Sequence, residues 1–424
     1  MSRTLIRGGC VLTLGRANYA EADVLIDGGL VAEVGTGLRA RDAEVIDGAG
    51  TIVMPGFVDA HRHVAESLFH NLGEDMSPER FASHYGPDDV YAGTLVGLLG
   101  ALDAGTTSVV DWCAFGRTPE HLDAARQAHE DSGLRTVLVH GSSGEGDWRA
   151  GLARVAAASG PSLTGAAGPP APRKGQDGLG DWAAARAAGL RLHVHAGASP
   201  DDRGAVALLG ERGDLGPDVT LIHCTYLNDA DLDAVAASRA SVVSTPSSEM
   251  VGGFGSPPIQ RFMDHGIRPG LGVETGRRGS PIDMFAQMRA LISLQHATHF
   301  DLKLAGKAGL PKLLNTRDVI RYATVDGARA AGLAAGLGVL EPGSAADLIV
   351  LRADRPNIHP INDAIGAVVW GMDTSNVEWV FVAGEARKRN GEITADIDRA
   401  RSLAVAASER VGAAVAVPAA RGGG

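Results

Sequence analysis

Four short stretches hold the residues best suited to chemistry. Asp59-Ala-His-Arg-His63 sets two imidazoles at i and i+2. On an extended strand such side chains share one side, so both can meet one metal ion. In a chain with 14 histidines a lone pair of this kind arises easily by chance. The later stretches add weight. Leu190-Arg-Leu-His-Val-His195, Leu221-Ile-His-Cys224 and Gly270-Leu-Gly-Val-Glu274 each end an apolar run with imidazole or carboxylate. Both groups are good ligands for zinc or a similar divalent ion. The plain alternative is a set of satisfied core or surface histidines. Independent strand ends that repeat one ligand chemistry argue against it.

The elements that would position these residues alternate. Short apolar runs cover 52–58, 107–111, 135–140, 190–195, 219–223, 241–244 and 268–273. Ala/Leu-rich helical stretches lie between them, as at 87–104, 119–132, 182–188, 205–211, 229–237 and 257–264. Beta-alpha alternation of this length means a parallel sheet, open or closed. An eighth strand is needed for closure. Residues 162–167 sit at the right place but have poor strand composition. In a barrel, active sites form at strand C-termini, where the histidines fall.

The first fifty residues read as short strands and tight turns, with too few apolar residues to stand alone. Residues 281–338 read as helices. Strand texture returns at 347–351, 364–369 and 379–382, and these strands are expected to join the N-terminal ones. Residues 390–424 read as a terminal helix and tail, and 157–180 as a long loop or lid.

Composition narrows the classes. An apolar content of 45% with 21% charged residues supports a large core and excludes wholesale disorder. A net charge of -11 argues against a nucleic-acid partner. Three scattered cysteines argue against a disulfide scaffold and fit a reducing, cytoplasmic setting. No apolar run is long enough to span a membrane, and the start lacks the apolar region of a signal peptide.

With these residues in view, the sequence resembles the amidohydrolase superfamily, in the branch of cytosine and guanine deaminases and triazine hydrolases. The matching text is Val53-Met-Pro-Gly-Phe-Val-Asp-Ala-His-Arg-His63, Val194-His195, Leu221-Ile-His-Cys-Thr-Tyr226 and the strand before Glu274. Supporting text lies at 323–333 and 340–350. The resemblance implies an α/β fold, a distorted (β/α)8 TIM barrel with a small composite β-sandwich from both chain ends. Its parts would be 1–55 and 341–390 in the sandwich, 56–340 in the barrel and 391–424 in a terminal helix and tail. It implies one divalent metal ion, zinc ahead of iron or manganese, held by His61, His63, His195 and position 274. It implies that His223 orients the attacking water or the substrate.

Two positions depart from the family pattern. Glu274 stands where aspartate is usual, and it could ligate the metal, act as base, or do both. Ala198 stands where a proton-shuttling glutamate is usual. Glu249, just after the seventh strand, is a candidate replacement, against the plain reading of an exposed loop residue. His70 and His140, with Trp112 as a surface for a flat ring, are candidate pocket residues. Glu66 and His84 share the long segment with His70. Lys174 is not at a strand end, so no carbamylated lysine is expected. Ser142-Ser143 has no nucleophile-elbow spacing, and no nucleotide-binding glycine motif is found.

The expected function is metal-dependent hydrolysis of a small cyclic nitrogen-containing compound, by a route other than the usual glutamate-assisted deamination. A lyase, cyclase or isomerase using the same pocket is the second reading. A non-catalytic metal- or ligand-binding protein is the third. The expected partner is a small molecule, with no nucleic acid and no membrane. A homo-oligomer is left open.

Overall fold

The structure, a computed structural model, describes residues 3–15, 17–70, 81, 83–142, 148–158, 160, 162–170, 179–274 and 282–415. Lys174, Ser143, residues 159, 161 and 171–178 of the expected lid, and the C-terminal tail lie outside the described residues. The N-terminal strands are β1 (Arg3–Val11), β2 (Tyr19–Asp27), β3 (Leu30–Gly35), β4 (Ala43–Asp47) and β5 (Thr51–Pro55). They form part of one mixed sheet. Gly56 then ends that sheet's claim on the chain, and β6 (Phe57–Arg62) opens a second sheet. The apolar run 52–58 is therefore two strands and not one. A Cβ at position 56 would collide with the Thr107 side chain, so only glycine lets the backbone change sheets so close to its neighbour.

From β6 onward eight parallel strands follow one another in sequence order. They are β6, β7 (Thr106–Cys113), β8 (Arg135–Gly141), β9 (Leu163–Gly168), β10 (Arg191–Ala196), β11 (Val219–His223), β12 (Ser241–Ser244) and β13 (Gly270–Leu271). Their inner faces pack Val58, Ala60, Val110, Val137, Val139, Ala166, Ile222 and Val243 against one another. Their outer faces are buried under helices, which is why these strands read as continuous apolar runs. The helices used below are α1 (Pro87–Asp103), α2 (Pro119–Ser132), α3 (Pro246–Gly252), α4 (Met284–Leu304), α5 (Val325–Ala330) and α6 (Ile397–Val415). α5 closes the barrel floor: Ala323, just before it, accepts from Val58 N at 2.8 Å, and Ala330 accepts from Thr220 Oγ1 at 2.7 Å. No helix among the described residues is long and apolar enough to cross a membrane.

The chain ends do share a sheet. β14 (Leu348–Arg352) pairs antiparallel with β5, and β15 (Val377–Val382), β16 (Glu385–Arg389) and β17 (Glu392–Ile393) continue outward. The architecture is a near-closed parallel barrel with a composite sheet built from both ends. One expected strand is not a strand. Residues 364–371 are helical, with the Asp363 side chain accepting from Gly366 N at the start. That N-cap settles an apolar run whose pattern fits either state. Arg289 of α4 then satisfies the freed carbonyl of Met372 at 2.7 Å.

Asp347 joins the two units. It is buried, receives Arg135 Nε at 2.6 Å and Nη2 at 3.1 Å, and accepts from Ala383 N at 2.7 Å. Removing it takes a buried carboxylate from a partly buried guanidinium and an acceptor from a backbone donor. Asp347→Ala is expected to lower stability by about 3–5 kcal/mol, with Asp347→Asn recovering part of the loss. Urea unfolding checks this, and a change below about 1 kcal/mol for the alanine variant would remove Asp347 from that role.

Candidate metal centre and active site

The barrel closes at its ligands. Glu274 N donates to His61 O at 2.9 Å, and His63 N donates to Glu274 O at 2.8 Å. These two bonds join the end of β6 to the residue that follows β13. The side chains then converge. His61 Nε2 lies 2.8 Å from Glu274 Oε2 and 3.2 Å from His195 Nε2 of β10. His63 Nε2 lies 3.4 Å from Glu274 Oε1. One ligand atom from each of His61, His63, His195 and Glu274 falls within 4.8 Å of all the others.

The set fits a divalent ion. A tetrahedral site with metal–ligand bonds of about 2.0–2.1 Å has edges of about 3.3 Å. The three edges above scatter around that value. A single proton on His61 Nε2 cannot serve both His195 Nε2 and Glu274 Oε2, whereas one cation serves them all.

Electrostatics favour the ligand state of each group. Burial pushes His61 down to about 4, against the opposing pull of Glu274. Burial and the neighbouring imidazoles His61 and His223 put His195 well below the ordinary histidine range. Burial alone would raise Glu274, but His61 and His63 overcome it and hold this carboxyl well below its usual range. Neutral imidazoles and an ionised carboxylate are what a metal binds.

Second contacts fix the ligand strands. Asp59 is fully buried. Its Oδ1 accepts from Val273 N at 3.0 Å and from His61 N at 3.4 Å, and its Oδ2 meets Arg62 Nε at 2.9 Å. Burial outweighs Arg62 and raises Asp59 to about 6. Asp59 thus staples both sides of the seam, a role not assigned to it from sequence. The available signal was a carboxylate two residues before His61 on an otherwise apolar strand. Asp111 does similar work one strand over. It accepts from Val64 N at 3.0 Å and pairs with His129 Nε2 of α2 at 2.8 Å.

Around the cluster stand Trp112, His223, Glu249 and Phe254. The Trp112 ring centroid is 4.3 Å from that of His195 and 6.1 Å from that of His61. Glycines at 141 and 168 make its room, since a Cβ at either would strike the indole. His223 stacks on His195 at 5.3 Å and on Phe254 at 4.8 Å, and its Nε2 is 3.8 Å from Glu274 Oε2. Glu249 is fully buried behind it, with Oε1 3.4 Å from His223 Nδ1. The exposed-loop alternative for Glu249 is overturned, because α3 starts at Pro246 and turns residue 249 inward. His223, Cys224 and Glu274 all have left-handed backbones, with φ of 74°, 58° and 69°. Each costs of order 1–2 kcal/mol in a non-glycine residue, and strain of this kind gathers at working sites.

Other candidates are placed elsewhere. The ring of His140 stacks on Trp148 at 5.7 Å, with Nε2 3.0 Å from the Trp148 carbonyl oxygen. It supports the loop after β8 and is not brought to the cluster. His70 is exposed, with Nδ1 2.6 Å from the Ser67 carbonyl oxygen, and it lines one cavity together with His63. His84 is exposed too. Glu66 is buried, and its Oε1 lies 3.7 Å from His63 Nδ1. Ala198 is half-buried just past β10 and brings no acid to the site.

A model of the amidohydrolase family matches residues 52–387. The chain belongs to that family. It is 29% identical over 419 residues to a 5'-deoxyadenosine deaminase of Methanothermobacter thermautotrophicus, covering 92% of this chain and 94% of that protein. An adenosine deaminase of Xanthomonas campestris with bound zinc superposes with a TM-score of 0.84 at 20% identity, covering 97% of this chain and 99% of that one. A mutant atrazine chlorohydrolase of Arthrobacter aurescens, complexed with zinc and atraton, gives 0.82 at 25% identity, covering 96% and 100%. This amidohydrolase is an enzyme with a buried metal site made of three imidazoles and one carboxylate.

Two measurements check the centre. Elemental analysis should find one equivalent of divalent metal, and His195→Ala should lose it. At pH 6 three ordinary imidazoles would release about two protons on metal binding. Burial holds His61 at about 4 and lowers His195 as well, so the metal-free protein should release fewer protons than that. Calorimetry in buffers of different ionisation enthalpy reads this count. Release of two or more would show that the imidazoles are not held neutral.

Proposed function

We propose that this amidohydrolase hydrolyses a bond from a ring carbon of a flat nitrogen heterocycle, of purine or triazine size, to its substituent. The catalytic unit is residues 56–340. The observation that carries the reading is the His61–His63–His195–Glu274 cluster beside the Trp112 indole. A bound divalent ion there supplies an activated water at neutral pH. The chain's own residues do the rest. Trp112 offers an apolar face on which a flat ring can lie. Glu274 holds negative charge beside His61 and His63 and can take a proton at Oε2. His223 presents Nε2 on the same side, 3.8 Å from that oxygen.

Adenosine-type deaminases among the relatives support the ring class. Ala198 supports a narrower statement about the leaving group. With no carboxylic acid at the end of β10, an amino leaving group must take its proton from a weaker acid, such as an imidazolium. A substituent that departs with less help, such as halide or alkoxide, is therefore favoured over ammonia. Three free cysteines fit the cytoplasm as the setting.

The test is a panel of purine nucleosides and triazines carrying amino, chloro or methoxy groups, run in oxygen-labelled water. One labelled oxygen per product is expected, with chloro or methoxy compounds turned over at least tenfold faster than amino ones. Turnover without label would point to a lyase or isomerase, and faster loss of ammonia would defeat the leaving-group statement. Within the active substrate, Glu274→Gln should retain metal and lower kcat by roughly 10²–10⁴, the range for a lost acid or base. An unchanged kcat across pH would leave the carboxylate with no chemical role.

A further inference from the structure

Glu249 is a carboxylate at zero exposure whose acceptors meet donors of three kinds. Thr245 N donates to Oε1 at 2.7 Å, and Ser244 Oγ donates to Oε2 at 2.9 Å. His223 Nδ1 stands 3.4 Å from Oε1, with Thr245 Oγ1 3.3 Å from the same nitrogen. The Thr245 contact caps the start of α3, and a capping role alone would need nothing more. It does not account for the imidazole. His223 has its Nδ1 edge toward Glu249 and its Nε2 edge toward the metal cluster, and Phe254 and His195 hold the ring plane from either side.

We propose that Glu249 is a positioning residue that fixes His223 as the Nδ1–H tautomer, and that this dyad carries the proton transfers left without a glutamate at Ala198. An ionised carboxylate accepts only, so pairing with Glu249 requires the proton on Nδ1. Nε2 then presents a lone pair to the site. Carboxylate–imidazole pairs do this in other hydrolases, where the carboxylate orients the ring and stabilises the imidazolium without taking the proton. Here the water oxygen bonds the ring carbon as its proton goes by way of Glu274 Oε2 to His223 Nε2, 3.8 Å from that oxygen. The bond to the substituent then breaks, its electron pair leaves with the substituent, and Nε2 returns the proton to it. The acid–base group has moved from the fifth barrel strand to the sixth, with its carboxylate partner supplied from the helix after the seventh.

This rests on the hydrolytic reading for its chemistry, but its structural half is tested without substrate. In metal-loaded protein carrying nitrogen-labelled histidine, NMR should show His223 protonated at Nδ1. Glu249→Gln keeps an acceptor at the Oε1 place, toward which both Thr245 N and Nδ1–H point, but removes the charge behind the imidazole. His223 should then remain Nδ1–H, metal content should hold, and kcat should fall 10- to 1000-fold, on the order of a lost acid–base contribution, with KM within about threefold. Glu249→Met removes the acceptor as well and should shift His223 toward Nε2–H. Thr245→Val separates the two neighbours of Nδ1 and should leave the tautomer unchanged. An Nε2–H signal in the parent, or a tautomer that follows Thr245 and not Glu249, overturns the proposal. So does a Glu249→Gln variant with kcat unchanged. If Glu249→Met does not fold, Glu249→Gln and Thr245→Val still decide. A normal tautomer with no turnover of any heterocycle in the panel would defeat the function reading and leave the dyad standing.

Discussion

The whole barrel depends on two backbone hydrogen bonds, from Glu274 N to His61 O and from His63 N to Glu274 O. β13 is only two residues long, so side-by-side pairing with β6 contributes little there. Closure is instead made at the ligand residues themselves. The geometry that completes the barrel also brings a carboxylate from the last strand against two imidazoles of the first. Asp59 reinforces the same joint by receiving N–H groups from both sides. The residues that cluster for a metal are therefore the ones that close the barrel, and strain at residue 274 is held by bonds that the fold needs in any case.

Burial sets the second constraint. His61, Glu249, Asp59 and His193 are fully buried, and Glu274 is nearly so. In such surroundings a lone charge is costly, while a compensated one is strong. The chain answers in two ways. Imidazoles are pushed toward neutrality, as at His61 and His193, and carboxylates are given donors or cations, as at Asp59 with Arg62 and Glu249 with Thr245 and Ser244. A site organised like this holds its dipoles in place before a substrate arrives, which is the condition for electrostatic assistance.

Much of this was legible in the sequence because it was written in short-range terms. Beta-alpha alternation and histidines at strand ends disclosed the barrel and the side chains that cluster at its rim. What was obscured has identifiable causes. β9 has weak strand composition in part because Gly165 and Gly168 must be small, leaving space for the Val155 carbonyl and for Trp112. The split at Gly56 depends on how near Thr107 comes, which no local pattern encodes. The helix at 364–371 turns on one cap, Asp363. His140 looks like a pocket residue by its place at the end of β8, yet Trp148, eight positions on, folds back over it. Residues 162–167, expected as the eighth strand, do form it, and each of the other cases involves a partner distant in sequence or a choice between two states of similar local energy.

Glu249 is the instructive case. By spacing it was a loop carboxylate after the seventh strand, with no periodicity to mark it as inward. Pro246 at the first position of α3 starts a helix at once, and one turn of that helix carries residue 249 back beneath the strand end. The carboxylate then serves two masters. It satisfies the backbone N–H of Thr245, and it stands behind the imidazole of His223. At the end of β10 the chain has Ala198, a methyl group that can neither donate nor accept. The charge missing from one rim position is thus matched by a charge buried at another, distant in sequence but one side chain away through His223. An acid–base function needs a proton carrier facing the reacting atoms and a fixed partner behind it, and it does not need either from a particular strand. The same barrel can therefore trade a glutamate that touches substrate for one that touches only histidine. The cost is an added link between the carboxylate and the chemistry, and the gain is a carboxylate kept away from water and substrate alike.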